Sequence, residues 1–266
     1  MQWTENKFES LNSNYRYLRR GSDENDSSRP RFYNRKSFPQ SKRHAIKHPA
    51  VPPIARLGVQ IQVQIQVQGL HFAYPEHKLF TDLSVQIRLG VTLIQGGDGR
   101  GKTTLLRLLA GELTADAGTL HIHQLDLQKQ PAAYRQQLFW TDARSEAFDQ
   151  LTPPEYFEMQ RKRWPGFDNQ SLAELIRGLD LEVHLHKKLF MLSTGSKRKV
   201  WLAAAFASGA AVTLLDEPFA ALDTPSIRFV IQRLKGAAAR PERAYVIADY
   251  EAPADVPLAA VIDLGG

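Results

Sequence analysis

One run of nine residues constrains this chain more than any other: Gly96-Gly97-Asp98-Gly99-Arg100-Gly101-Lys102-Thr103-Thr104. Just before it, Val91-Thr92-Leu93-Ile94 reads as a short buried strand. Just after it, Leu105-Leu106-Arg107-Leu108-Leu109-Ala110 reads as a helix. A strand feeding a glycine-rich turn that opens a helix is the context required by the phosphate-binding loop Gly-x-x-x-x-Gly-Lys-Thr. Glycines let backbone N–H groups turn inward on phosphate oxygens, and the helix N-terminus adds the positive end of its dipole. Lys102 then reaches the β- and γ-phosphates, and the Thr103 hydroxyl holds Mg²⁺.

Charge divides the chain into two parts. Residues 1–56 carry 12 Lys/Arg against 5 Asp/Glu, whereas residues 57–266 are close to neutral. The first segment is rich in Arg, Ser, Asn and Pro and has no apolar periodicity, so it reads as a disordered extension. Its basic residues alternate with aromatics such as Trp3, Tyr15 and Phe32, a composition suited to RNA or an anionic lipid surface, or simply to a solvated tail. The neutral remainder argues against a broad nucleic-acid surface on the globular part. The absence of cysteine excludes disulfides, thiolate metal sites and cysteine nucleophiles. No apolar run is long enough to predict a membrane span, and no apolar segment near the N-terminus reads as a secretory signal.

Along residues 57–266, Ile61–Gln68 alternates strictly and predicts a strand with one apolar face, continuing to Tyr74. Leu83–Arg88 alternates likewise, so two antiparallel strands precede the phosphate-binding strand. Thr119–His123 reads as a strand with His121 and His123 on one face, and without a third ligand at supporting spacing they do not make a metal site. Leu138–Trp140 is a further strand. Residues 143–192 change character to an all-α insert, with capping-box patterns at Thr152/Glu155 and Ser171/Glu174. Leu192–Lys199 opens another helix. Ala211–Pro218 is a buried strand ending in Asp216 and Glu217, followed by a helix capped by Thr224, and Tyr245–Ala248 and Val261–Leu264 are the last strands. Strands alternating with helices imply an α/β fold with a mostly parallel sheet.

In this order the motifs resemble the nucleotide-binding domain of the ATP-binding cassette (ABC) family over roughly residues 60–266. Gly96–Thr103 matches Walker A, Leu192-Ser193-Thr194-Gly195-Ser196 resembles the signature Leu-Ser-Gly-Gly-Gln, Leu214-Leu215-Asp216-Glu217 matches Walker B, and Ala221-Leu222-Asp223 matches the D-loop. The resemblance implies a P-loop NTPase with an N-terminal antiparallel β subdomain and the all-α insert. It implies ATP and Mg²⁺ as cofactors, with Tyr74 stacking on adenine and the loop residues Gly96 to Thr104 holding phosphate. Thr103 and Asp216 would hold Mg²⁺, and Glu217 would act as general base beside Lys102. Ser193 and Gly195 would contact the γ-phosphate bound to a second cassette, with Asp223 beside them. Two cassettes, as a homodimer or with a paralogous partner, would bury two ATPs head to tail and drive a separate transmembrane permease from the cytoplasmic face of a membrane.

Two departures stand out. The Q-loop glutamine position, which faces Mg²⁺ and the permease, falls at Asp142. The switch-histidine position falls at Asp249. An ionised carboxylate only accepts hydrogen bonds, so Asp249 implies slow hydrolysis. The cleft near Asp142 and Phe148–Thr152 is the expected permease dock, with Leu151 and Tyr156 as apolar contacts or as core of the insert. The alternatives are a soluble ABC-family ATPase acting on a ribosome or nucleic acid, for which the basic tail speaks, and a nucleotide-gated switch with little hydrolysis.

Overall fold

The computed structural model describes residues 63–142 and 145–265. The expected extension 1–56 and the first residues of the alternating strand, Ile61 and Gln62, lie outside the described residues. Strand β1 (Val63–Tyr74) pairs antiparallel with β2 (His77–Arg88) and with β4 (Ala117–Ile122), and β5 (Leu125–Asp126) completes a four-stranded sheet ordered β2-β1-β4-β5. The alternation in β1 works as its pattern predicts at Ile65 and Val67, which are buried. Gln64 is the exception: it is buried too, and its carbonyl accepts from the His123 N–H where the β4–β5 turn closes over it. His121 and His123 do not stay on one face. His121 Nε2 lies 3.3 Å from Asp126 Oδ2, while His123 leaves the strand at φ 53°.

The second sheet is wholly parallel, ordered β6-β7-β8-β3-β9. Its strands are β3 (Gly90–Gln95), β6 (Leu138–Phe139), β7 (Val212–Asp216), β8 (Ala244–Asp249) and β9 (Ala260–Asp263). Neighbouring residues of these strands enter opposite cores. Leu93, Leu215, Tyr245 and Ile247 join one apolar cluster, and Ile94, Leu214, Val246 and Ala248 join the other. Both faces are therefore covered, which is why these strands read as continuous apolar runs rather than alternations. One face carries the helical insert and the long helix α5 (Thr194–Ala207). The other carries α1 (Lys102–Leu109) and the antiparallel sheet.

Two short elements, β5 and the helix α2 (Pro131–Arg135), had no counterpart in the sequence reading. The insert holds α3 (Pro153–Arg163) and α4 (Asn169–Gly178). Helix α3 starts at the predicted box: the Thr152 N–H donates to Glu155 Oε2 at 2.7 Å, and that bond holds the Glu155 carboxyl below its ordinary range. Helix α4 starts earlier than the Ser171 pattern implies. Asp168 is the cap, accepting from the Gln170 and Ser171 N–H groups, and the Ser171 hydroxyl accepts from Arg233 instead. The helix after Walker B, α6 (Thr224–Ala239), is likewise capped one residue before Thr224, by Asp223 accepting from the Ser226 N–H at 2.8 Å. In both places a carboxylate displaced the hydroxyl as cap, and both residue types fill that position well.

Tyr156 is fully buried, with its ring centroid 4.6 Å from that of Trp201 and its hydroxyl 3.2 Å from Thr141 Oγ1. Leu151 packs against the same cluster. Tyr156 therefore belongs to the core of the insert and offers no apolar contact to a permease, whereas Leu151 is only partly buried.

Candidate functional site

The parallel register aligns the carboxyl ends of three strands: Gln95 lies beside Asp249, and Asp216 beside Ala248. Ligands of such sheets bind in the crevice at these strand ends. Here the crevice is a cleft of about 320 Å³ lined by Tyr74, His77, Leu79, the loop from Gly97 to Thr104, Glu217 and Tyr250.

The loop turns where glycine is needed. Gly101 sits at φ 91° as the cap of α1, and a Cβ there would lie 2.9 Å from Phe80 Cζ. Lys102 is buried, and its Nζ donates to the carbonyls of Gly96 at 2.8 Å and Gly97 at 3.0 Å. A buried ammonium is costly unless it is hydrogen-bonded, and these two carbonyls hold it at the floor of the cleft. Thr103 Oγ1 donates to Asp216 Oδ2 at 2.8 Å, which brings the expected Mg²⁺ pair together across 113 residues of sequence. A hydroxyl and a carboxylate are hard oxygen donors. Mg²⁺ needs only one or two such protein ligands beside substrate phosphates and water, so the residues present fit it.

Glu217 follows at φ 43°, an uncommon backbone for a residue with a Cβ. Its N–H donates to the Ala248 carbonyl at 2.8 Å, and its own carbonyl accepts from Arg198. The turn is thus pinned to β8 and α5, and Glu217 lines the cleft. Tyr74 stands at the rim, 39% exposed, with its ring edge-on to Phe72 and its hydroxyl 3.3 Å from Thr104 Oγ1.

Asp249 lies at the end of β8, where its Oδ1 accepts from the Tyr250 N–H at 2.8 Å. Burial pushes its carboxyl above the ordinary aspartate range. Glu217 adds to that rise, while the Tyr250 N–H, Lys102 and Arg198 oppose it. Asp142 is not brought into the cleft. Strand β6 ends at Phe139, and Asp142 lies beside Glu112, whose pKa is raised chiefly by burial and further by that neighbouring charge.

Ser193 caps α5, accepting from the Ser196 N–H at 3.1 Å and donating to Ser196 Oγ at 3.0 Å; Ser196 Oγ in turn lies 3.1 Å from His184 Nε2. Burial holds the His184 ring below its ordinary pKa, consistent with a neutral imidazole there. Gly195 packs so closely on the Ala221 carbonyl that a Cβ would collide with it. Asp223 does more than cap α6. Its Oδ2 accepts from Lys199 Nζ at 2.5 Å, and that bond holds its carboxyl well below the usual range. Tyr250, His184 and Lys199 were missed from sequence, because each acts through a partner distant along the chain.

A family model described as "ABC transporter" matches residues 80–220. Over 183 residues the chain is 31% identical to ATP-binding cassette sub-family A member 17 of Mus musculus, covering 66% of this chain and only 11% of that protein. Over 172 residues it is 33% identical to the cytochrome c biogenesis ATP-binding export protein CcmA of Legionella pneumophila, covering 64% of this chain and 85% of that protein. A solved ATP-binding subunit of an ABC transporter superposes with a TM-score of 0.62 at 22% identity, over 70% of this chain and 79% of that one.

Proposed function

Because this chain belongs to the ABC transporter family, we propose that it is the ATP-binding subunit of a transporter, binding and hydrolysing ATP as a head-to-tail pair of cassettes. The observation that carries this reading is the cleft lined by the phosphate loop and Glu217, with Thr103 of that loop hydrogen-bonded to Asp216. The cassette is residues 57–266 with the insert 143–192, and residues 1–56 are a basic extension whose composition suits a solvated tail first, and RNA or an anionic lipid surface second.

In this reading Tyr74 stacks on adenine, which is worth about 1–3 kcal/mol per base. Backbone N–H groups of the loop and Lys102 receive the phosphates. Thr103 and Asp216 hold Mg²⁺, which when bound neutralises phosphate charge. Glu217 takes the proton from the attacking water. Ser193 and Gly195, at the N-terminus of α5, receive the γ-phosphate held by the other cassette, with Asp223 fixing the segment beside them. Among the described residues no helix is long and apolar enough to cross a membrane; in this reading the cassette drives a separate transmembrane permease. The complex sits on the cytoplasmic face of a membrane. Asp249 offers no cationic donor to phosphate, and that favours slow turnover over a fast cycle.

The test is steady-state ATP hydrolysis by the purified chain and by Glu217→Gln. Removal of a general base costs about 10²–10⁴-fold. Equal rates for the two proteins would make the cassette a binding switch. Crosslinks from the insert to a ribosome rather than to a polytopic membrane protein would replace the transporter reading with the soluble one.

A further inference from the structure

Tyr250 is a cleft residue whose contacts the proposed reaction does not explain. Its hydroxyl donates to Asp98 Oδ1, across 152 residues of sequence, and its ring lies under Lys102, 3.9 Å from Nζ to centroid. The ammonium has three N–H groups. Two go to Gly96 and Gly97, and the aromatic face attends the remaining side of the charge. Tyr250 therefore stands on the side of Lys102 that faces the cleft.

Asp98 makes the arrangement informative. A carboxylate in a loop built to hold anions repels what the loop binds, yet here it accepts the Tyr250 proton. An anion at this spot is thus already served by a phenol O–H. Its neighbour cannot do the same in ionised form, because the Asp249 carboxylate has no proton to donate and its Oδ1 accepts from the Tyr250 backbone N–H. The Asp98 bond also keeps the phenol protonated, lifting its pKa to about 12, so the donor persists at any working pH.

We propose that Tyr250 is a ligand of the terminal phosphate, its hydroxyl exchanging the Asp98 carboxylate for a phosphate oxygen beside Lys102 when a nucleoside triphosphate binds. This rests on the ATP-binding reading above. The exchange makes the site discriminate triphosphate from diphosphate, because only the former reaches the hydroxyl. It also supplies a neutral donor at the strand end where Asp249 stands.

The test measures Kd for ATP and for ADP by calorimetry on the full chain and on Tyr250→Phe, which keeps the ring and removes only the donor. A hydrogen bond to a charged group corresponds to about 10–100-fold in affinity. The expected result is a loss of that size for ATP with ADP affinity unchanged. Asp98→Ala provides a second arm: it releases the hydroxyl, so ATP affinity rises in the wild-type background by more than in Tyr250→Phe. ATP affinity unchanged in Tyr250→Phe overturns the proposal. Tighter binding of both nucleotides overturns it as well, since Tyr250 would then be a plug over Lys102. A wild-type chain that binds neither nucleotide defeats the ATP-binding reading itself, which separates the two failures.

Discussion

At the N-terminus of α1 the groups that would meet phosphate face other parts of the same chain. Thr103 meets Asp216, Lys102 meets two loop carbonyls, and Glu217 is pinned to β8. At the N-terminus of α5, Ser193 is exposed, and its hydroxyl turns back on Ser196 within its own first turn. The first region is a cleft with walls. The second is a helix end with one wall, because the surface that would close it lies on no described part of the chain. Both use the same device, a helix start with its N–H groups and dipole aimed outward. Under the proposed head-to-tail pairing, the difference means that nucleotide binding is a property of one cassette, whereas turnover draws on the α5 end of another.

Lys102→Ala gives the largest expected effect. It removes the buried cation of the complete site, and binding of ATP by calorimetry should fall below detection in the single chain and in the dimer alike. Retained affinity would mean that the loop N–H groups suffice without Lys102. Ser193→Asp tests the other region with the cap of α5 preserved, since Asp caps as well as Ser. A negative charge there opposes phosphate, so turnover should fall by about 10²-fold or more while ATP affinity of the single chain stays unchanged. Loss of affinity in the monomer would erase the distinction between the two regions.

The smallest effect is a pH dependence confined to the cleft. The fold favours protonated Asp249, so this group's contribution to stability is present below the unfolded pKa and is lost as pH rises through the higher folded value. Lowering the pH through that window removes a charge beside phosphate and adds an O–H donor. ATP affinity of the wild type should therefore rise a few-fold relative to Asp249→Asn over the same range, measured by titration at each pH. Parallel curves would show that Asp249 faces away from the nucleotide.

What could be read without the structure follows the range of the interactions involved. The phosphate loop, the two carboxylates after β7 and the capping box of α3 are contained within a few consecutive residues, so composition and spacing expose them. The β1 alternation was legible for the same reason, although Gln64 shows that a polar residue on the expected outer face is buried once a neighbouring turn covers it. The cap positions slipped because Asp168 and Asp223 compete with nearby hydroxyls for the same role. β5 spans two residues, too few to show a period. Tyr250 is an aromatic after a strand in sequence, and only the register of β8 against β3 turns it toward Asp98 and Lys102.

The close approach of Gly195 to Ala221 has a consequence for how two nucleotides communicate. The start of α5 is fastened to residues 217–223 at three places: Gly195 on the Ala221 carbonyl, Arg198 on the Glu217 carbonyl, and Lys199 on Asp223. Packed segments joined this tightly shift as one body rather than deform. In the proposed head-to-tail pair, the block that carries Glu217 is also the block that the cassette presents to its neighbour. Under that pairing a nucleotide that moves Glu217 moves Ser193 with it, and the expected outcome is cooperativity between the two sites without a separate relay.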